Sequence, residues 1–184
     1  IGSRFLRAGP AYGGSCFPKD TRALVSTARM FNTNLSVVKS VINSNDKRTK
    51  LLLNKISKIM NNKIKNKNIT FLGVTFKPGT DDMRESSSLK MIPALTRKGA
   101  HINYYEPTGK KKELKSKNIN FFENIKDACK MADLIIIHTE WNEFKQLNFK
   151  KITNKRNFKV FDMRNLYSSS EMKKNKINYF SIGR

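Results

Sequence analysis

The chain of 184 residues is poor in several residue types, and each shortage narrows what it can be. Two cysteines, Cys16 and Cys129, are too few for a disulfide framework, so we expect a protein of the reducing cytoplasm. The two histidines have no cysteine or carboxylate at ligand spacing, so we assign no metal. No apolar run approaches the roughly 20 residues that span a bilayer, and we expect no membrane partner.

Acidic residues are scarce as well. The 37 basic residues outnumber the 14 acidic ones, which gives a net charge of +23. Such a balance can indicate nucleic acid, but here the lysines are scattered through Asn- and Ile-rich stretches such as 61–68 and 110–118. These stretches lack interleaved aromatic residues. We therefore interpret the charge as solvated surface whose field attracts small anions, and the residues argue against a nucleic-acid partner.

A third absence concerns cofactors. No Gly-x-Gly-x-x-Gly sequence opens a strand–helix unit, so the chain lacks the fingerprint of a dinucleotide-binding sheet. The segments predicted below to form a sheet are therefore poor candidates for binding NAD.

Among the features that are present, segment 9–21 is the most informative: Gly-Pro-Ala-Tyr-Gly-Gly-Ser-Cys-Phe-Pro-Lys-Asp-Thr. Cys16 follows two flexible glycines and precedes Pro18, a residue typical of a first helical turn. The helix N-terminus and the Lys19 ammonium both favour a thiolate at Cys16. Asp20, one turn later, can position a water. We interpret Cys16 as a catalytic nucleophile and Asp20 as its partner; a structural cysteine in a tight turn is the alternative.

Hydrophobic spacing predicts two helices after this loop, over 20–31 and about 35–60. The second would be roughly 40 Å long. Its apolar residues near helical spacing are Val38, Val41, Ile42, Leu52, Ile56 and Ile59. A helix of that length rarely buries its whole apolar stripe within so small a chain. We therefore expect it to pack on a partner domain or subunit.

Beyond the polar linker 61–67 the pattern predicts an α/β fold with a parallel, doubly wound sheet. The predicted strands are 69–74, 101–105, 119–122, 134–138, 158–162 and 179–182. A helix capped by Ser86 or Ser87 is expected to run to residue 98, with Gly99 as its stop, and another covers 124–131. We divide the chain into 1–65, a nucleophile loop plus a helical segment, and 66–184, the sheet domain.

Ligands of an open parallel sheet bind beyond the carboxyl ends of its strands. Lys77 and Arg164 each follow a predicted strand there, so this edge should receive an anion. The alternatives are an exposed lysine at Lys77 and, at Arg164, a salt bridge to Asp162 or Glu140.

Segment 9–21 resembles the nucleophile motif of the UDP-glucose 6-dehydrogenases, within the UDP-glucose/GDP-mannose dehydrogenase family. Segments 71–78, 80–86, 105–107, 139–141 and 161–165 also match that family in its order. The resemblance spans essentially the whole chain, but the NAD-binding domain that precedes the cysteine motif is absent. It implies the C-terminal part of a longer enzyme, inactive by itself: a helical central, dimerising segment followed by a Rossmann-like UDP-sugar-binding domain.

The activity that the resemblance implies is oxidation of UDP-glucose to UDP-glucuronate with two NAD+. A thiohemiacetal and then a thioester would form on Cys16, and water helped by Asp20 would hydrolyse the thioester. NAD would be bound mainly by the absent domain, and the long helix would build a homodimer. GDP-mannose or a UDP-N-acetylhexosamine as substrate, or a non-catalytic nucleotide-sugar-binding module, are the alternatives.

The resemblance also implies binding residues. Lys77 and Arg164 would hold the UDP moiety, with Phe76 beside Lys77. Segment 5–7, which contains Phe5 and Arg7, would close over the diphosphate and glucose together with the backbone at Tyr12 and Gly13.

Lys19 and Arg84 match family positions that contact NAD. For Arg84 the alternative is a structural pairing with Asp81, Asp82 or Glu85.

Overall fold

Two helices precede a parallel sheet in the computed structural model, which describes residues 2–183 apart from the side chains of Ser3 and Arg4. After a 3-10 turn at Ser3–Leu6 and an irregular loop come helices α1 (Phe17–Met30) and α2 (Ser36–Ile59). Helix α1 begins three residues earlier than the spacing predicted, because Pro18 stands in its first turn. Helix α2 has 24 residues, so the long helix is confirmed.

The sheet has six strands, all parallel to their neighbours, in the order β3-β2-β1-β4-β5-β6. The strands are β1 (Asn68–Leu72), β2 (His101–Tyr105), β3 (Ile119–Phe121), β4 (Leu134–Ile137), β5 (Lys159–Asp162) and β6 (Asn178–Ser181). Leu72 pairs with both Tyr105 and Ile137, so β1, β2 and β4 end level with one another. The predicted α/β class is confirmed. The strand order reverses between β1 and β4, which makes that point the expected ligand crevice.

Four further helices connect the strands: α3 (Ser88–Arg97), α4 (Ile125–Cys129), α5 (Phe149–Ile152) and α6 (Ser169–Lys174). The sequence did not predict α5 and α6, because four and six residues are too short to show an apolar period. The predicted serine cap of α3 is wrong in detail. Ser87 stands at the N-cap without a side-chain cap bond, and its hydroxyl bonds His138 Nε2 at 2.8 Å instead.

Two hydrophobic clusters fill the core, one on each face of the sheet. The larger includes Leu52, Ile56 and Ile59 of α2 with Phe71 and Ile136 of the strands. The smaller contains Leu72, Ile135, Phe144, Phe149 and Met172, together with the buried Cys129. Among the described residues, no helix combines the length and the apolar character that crossing a membrane requires.

The two opening helices bury much less of their apolar surface. Met30 is 78% exposed, Phe31 75% and Val37 75%, whereas Ile56 near the other end of α2 is fully buried. The C-terminal half of α2 therefore belongs to the core of the sheet, and its N-terminal half stands with α1 outside it.

Candidate active site

A cleft of about 1210 Å³ opens at the carboxyl edge of the sheet, beside the point where the strand order reverses. Its walls are the loop that leads to Cys16, one face of α2, and the segments that follow β1, β4 and β5. This is the position at which open parallel sheets bind their ligands.

The cleft brings together eight of the residues singled out by the sequence. They are Phe5, Arg7, Tyr12, Gly13, Cys16, Phe76, Lys77 and Arg164. The remaining three, Lys19, Asp20 and Arg84, are not among its lining residues. Proximity alone assigns no role, so the individual functions stay predictions at this point.

Cys16 is exposed and stands at the N-cap of α1, with φ −85° and ψ −64°. Its Sγ lies 3.6 Å from the hydroxyl oxygen of Ser15. The ring of Tyr12, on the preceding loop, packs edge to face with the ring of Phe17, the first residue of α1, with centroids 4.8 Å apart. The thiol is therefore open to the cleft, and an aromatic pair supports the loop that carries it.

Gly14 shows why this loop needs glycine. Its φ of +85° lies in the left-handed region, and an added Cβ would come within 2.8 Å of the Phe76 ring. Its amide donates to the carbonyl of Arg84 at 2.9 Å. The nucleophile loop thus lies directly against the segment that follows β1.

The Asp20 carboxylate is paired with the neighbouring Lys19 ammonium, and both side chains are exposed. This hydrogen bond to Asp20 raises the pKa of Lys19. Sequence reasoning assigned these two residues separate roles and did not predict that they pair. The pairing engages Asp20 Oδ1 alone, and the role of this carboxylate in orienting a water at Cys16 stays a prediction.

Arg164 is largely buried and ties several segments together. Its Nε donates to the carbonyl of His138 at 2.9 Å, and its Nη2 donates to the carbonyl of Phe76 at 3.1 Å. Glu140 Oε2 lies 2.8 Å from Nε. The N–H already points at His138, so that contact is electrostatic and not a directed hydrogen bond. Burial lowers the pKa of Arg164, and the Glu140 and Asp162 carboxylates oppose the effect.

The alternative raised for Arg164, a salt bridge to Glu140, is therefore present. Asp162 acts on the backbone instead, because its carboxylate accepts the N–H groups of Arg164 at 2.9 Å and Leu166 at 2.6 Å, which shapes the turn after β5. Two N–H donors of Arg164 thus hold backbone carbonyls at the floor of the cleft, and its guanidinium group is a positive charge at that place.

Lys77 is exposed at the mouth of the cleft. Its ammonium lies 5.2 Å from the centroid of the Phe76 ring, a cation–π contact. This arrangement presents a positive charge where a ligand anion would enter.

Arg84 is held by a carboxylate. Its Nε lies 3.0 Å from Asp82 Oδ1, and its Nη2 lies 2.8 Å from Asp82 Oδ2. These hydrogen bonds lower the pKa of Asp82. The structural pairing that the sequence left open for Arg84 is present, and its partner is Asp82.

Glu106 fills the place where a dinucleotide-binding sheet would expose backbone amides. Its buried carboxylate accepts the N–H groups of Val74 at 2.8 Å and Thr75 at 3.3 Å. These two amides are therefore not free to bind a phosphate group.

His138 is buried behind the cleft, between the hydroxyls of Ser87 and Thr139 at 2.8 Å and 3.1 Å. Burial, reinforced by the Arg164 charge, lowers its pKa to about 3, so the imidazole is neutral at physiological pH. Within residues 2–183 no three His, Cys, Asp or Glu side chains come together in a way that could hold a metal.

Sequence reasoning missed Asn45 and Arg48, which reach the cleft from α2. Both contact the nucleophile loop through its backbone. A signal for them existed in the spacing. Positions 38, 41, 45, 48, 52, 56 and 59 form one continuous helical stripe, and Asn45 and Arg48 are its two polar members.

A Rossmann-like α/β sheet with a cationic cleft at its switch point, and a cysteine at the rim, defines a class of nucleotide-binding protein. The family model described as the UDP-binding domain of the UDP-glucose/GDP-mannose dehydrogenase family matches residues 70–169. The family model of the central domain of the same family matches residues 1–47. The chain belongs to the UDP-glucose/GDP-mannose dehydrogenase family.

Individual relatives agree with this assignment. The chain is 39% identical to a UDP-glucose 6-dehydrogenase of Rickettsia felis, over all of this chain and 42% of that protein. It is 40% identical to a UDP-glucose 6-dehydrogenase of Rhizobium meliloti, over all of this chain and 43% of that protein. The chain thus spans less than half the length of these relatives.

A solved structure of a UDP-glucose dehydrogenase from Pyrobaculum islandicum superposes with a TM-score of 0.81 at 24% identity. The match covers all of this chain and 40% of that one. This likeness supports the fold that the strand order defines.

Proposed function

We propose that this chain supplies the nucleophile and the nucleotide-sugar site of an NAD-dependent UDP-glucose 6-dehydrogenase, which oxidises UDP-glucose to UDP-glucuronate. One observation carries the proposal: an exposed cysteine at a helix N-terminus shares a cleft with the cations of a parallel sheet edge. A sugar diphosphate needs both features, because its phosphates seek positive charge while its sugar must reach the thiol.

In this scheme the cations of the cleft bind the diphosphate. Lys77 and Arg7 are exposed along its wall and can move to meet the phosphates. Arg164 contributes a fixed positive charge from the floor, since two of its donors are bound to carbonyl groups. Phe76 offers a ring beside Lys77 for the uracil or the sugar.

Cys16 acts as the covalent group. Oxidation of the C6 alcohol, with the hydride going to one NAD+ and a proton released, would give an aldehyde. The thiolate of Cys16 would add to this aldehyde and take up a proton to form a thiohemiacetal. Loss of a hydride to a second NAD+ and of a proton would turn the thiohemiacetal into a thioester. A water, oriented by Asp20, attacks the thioester and releases the carboxylate product and the thiolate.

NAD+ supplies the hydride acceptor in such an oxidation. Two amides after β1 are not free to bind its phosphates, because the Glu106 carboxylate accepts them. Lys19 and Arg84 are 71% and 68% exposed near Cys16, and would contact NAD carried mainly by a separate domain. Each would have to exchange its present carboxylate partner for the cofactor.

We also propose a homodimer formed through α1 and α2. The exposed apolar side chains on these helices are Leu24, Met30, Val37, Val41 and Leu51, with Phe31 just after α1. A second copy of the chain would remove this surface from water.

Calorimetric titration with UDP-glucose tests the site. Lys77→Ala should weaken binding by about tenfold, as expected for the loss of one charge-assisted phosphate contact. Lys126→Ala, an exposed lysine of α4 away from the cleft, should leave it unchanged. GDP-mannose and UDP-N-acetylglucosamine serve as competing ligands. Equal effects of the two lysine substitutions, or tighter binding of GDP-mannose, would refute the assignment.

Turnover provides a separate check. The chain alone should not oxidise UDP-glucose, whereas the chain joined to the NAD-binding domain of a relative should do so. In that joined protein, Cys16→Ser should abolish uronate formation. Turnover by the isolated chain would contradict the proposal that oxidation also needs a separate NAD-binding domain.

A further inference from the structure

The loop that carries the nucleophile has no regular secondary structure between Arg7 and Cys16. Backbone N–H and C=O groups of such a loop need partners from elsewhere in the fold. Its contacts to α2 come from side chains on one stripe of that helix.

The side-chain amide of Asn45 bonds both backbone groups of Tyr12, as a neighbouring β-strand can do. Its Oδ1 accepts the N–H of Tyr12 at 3.0 Å, and its Nδ2 donates to the carbonyl of Tyr12 at 3.1 Å. Both groups of one loop residue are thus satisfied by a single amide side chain. The contact links residues 33 positions apart and is half-buried.

Arg48 holds the loop three residues earlier. Its Nε and Nη2 both donate to the carbonyl of Gly9, at 3.2 Å and 2.9 Å. Arg164 lies close to the same residue, since a Cβ built on Gly9 would stand 2.6 Å from Arg164 Nη1. Gly9 therefore lies between arginines of two elements, and a side chain at this position would have to displace the Arg164 guanidinium.

Helix α2 can hold the loop firmly because its other end is anchored. Leu52 and Ile56, on the same stripe as Asn45 and Arg48, are 5% and 0% exposed in the core. Asp46 is also 3.1 Å from Arg22, which ties α1 to α2.

We propose that Asn45 and Arg48 are positioning residues: they fix loop 9–16 on α2 and thereby set Cys16 in place at the first turn of α1. The inference deepens the proposed function, because it names what holds the nucleophile of that site. It concerns the geometry of the loop and requires no ligand.

The test uses four alanine variants of the chain. Asn45→Ala and Arg48→Ala remove the contacts; Asn43→Ala and Lys47→Ala are matched controls on exposed positions of the same helix. Two quantities are measured: hydrogen exchange of the Gly14 amide, and the rate at which iodoacetamide alkylates Cys16 at one neutral pH. Alkylation of the buried Cys129, whose pKa burial raises to about 12, reports unfolding.

The Gly14 amide bonds Arg84 and touches neither α2 residue, so it senses the loop as a whole. Loss of either anchor should speed its exchange by about fivefold or more, as expected when one hydrogen bond that restrains local opening is lost. The rate at which Cys16 is alkylated should differ from that of the control variants by about threefold, because the loop no longer holds the thiol in one place at the first turn of α1. A general loss of stability would instead make Cys129 reactive.

The proposal is overturned if both quantities match those of the control variants while Cys129 stays unreactive. Should the alanine variants expose Cys129, Asn45→Asp and Arg48→Lys decide by the same criteria. Asn45→Asp keeps the acceptor for the Tyr12 N–H, and Arg48→Lys keeps the charge without the fork. Each should fall between the original chain and its alanine variant. Neither measurement needs a nucleotide sugar, so a failed titration would refute the proposed function and leave this test intact.

Discussion

The sheet region and the two opening helices differ in how much of their apolar surface the chain itself buries. Ile135, Ile136 and Val160 of the sheet are fully buried by helices of this chain. On α1 and α2, Met30 is 78% exposed and Val37 75%. The sheet region therefore completes its core from its own sequence, whereas the opening helices present a face suited to another domain or subunit.

The same difference appears at the site. The floor of the cleft is built by side chains fixed inside the sheet region, such as Glu106 and Arg164, which are bonded to backbone groups. The residues predicted to act on the sugar and on NAD, Lys19 and Asp20 among them, lie exposed on the helical side. The proposed binding half is thus held by hydrogen bonds within the chain, whereas these residues of the proposed reacting half are exposed.

Removing a buried side chain should give the largest effect and tests this contrast directly. Ile136→Ala at the centre of β4 should cost about 2–5 kcal/mol of the free energy of unfolding, because it leaves a cavity in a closed core. Leu24→Ala on α1, where the side chain is 52% exposed, should change it by about 0.5 kcal/mol or less. Urea unfolding of the isolated chain measures both. Similar losses would show that α1 is already packed in solution.

Acid should affect the sheet region through His138. Its pKa is about 3 in the folded chain, against an ordinary value of 6.5, so between these values the unfolded chain binds a proton that the folded chain does not. Stability should therefore fall as pH falls through this window, with His138 contributing up to about 1.4 kcal/mol per pH unit.

The control for this pH effect is a second histidine. His138→Gln should remove that part of the slope whatever it does to stability at neutral pH, and His101→Gln, at an exposed position, should keep it. Equal slopes in the two variants would mean that His138 is protonated in the folded chain.

The sequence predicted the sheet well because its central strands, such as β4, are short apolar runs between turn signals. The errors lie at strand ends, where pairing decides membership. Val74 was predicted to extend β1, but its N–H donates to the Glu106 carboxylate and not to a neighbouring strand. No local pattern reports such a long-range partner.

The sequence predicted those site residues whose location depends only on their following a strand of the sheet. Lys77 and Arg164 follow strands of a parallel sheet, so topology places them at one edge. Asn45 and Arg48 were missed because polar residues on a helix are most often solvated, and their partners are backbone groups 33 and 39 residues away. The pairing of Lys19 with Asp20 was missed for a different reason, since adjacent charges on a first helical turn can also face different ligands.

Substitutions in the two regions should also differ in their effect on self-association, by a smaller free energy than in the stability tests above. Phe31→Asp should weaken dimerisation by about tenfold, or about 1.4 kcal/mol, because it puts a charge into the apolar face that we propose as the interface. Ser170→Asp adds the same charge at an exposed position of α6 and should have no effect. Sedimentation equilibrium measures the dissociation constants. If both variants associate like the original chain, the apolar face serves another partner.

The smallest expected effect is the loss of unfolding free energy when the N-cap side chain of a helix is removed. In the sheet region, Asn124 caps α4: its Oδ1 accepts the Asp127 N–H at 2.8 Å. The N-cap residues of α1 and α2, Cys16 and Leu35, make no such side-chain bond. Asn124→Ala should therefore lower the free energy of unfolding by about 1 kcal/mol. Asn43→Ala on α2, an exposed position, should not lower it, because alanine has the higher helix propensity.

Urea titration at one pH resolves a difference of this size when the two variants are compared at equal denaturant slope. If Asn124→Ala costs nothing, α4 is held by tertiary packing alone, since Ala128 and Cys129 are fully buried behind it. Helix α4 would then start as α1 and α2 do, without help from a side-chain cap. The contrast between the two regions would rest only on which apolar surfaces the chain covers by itself.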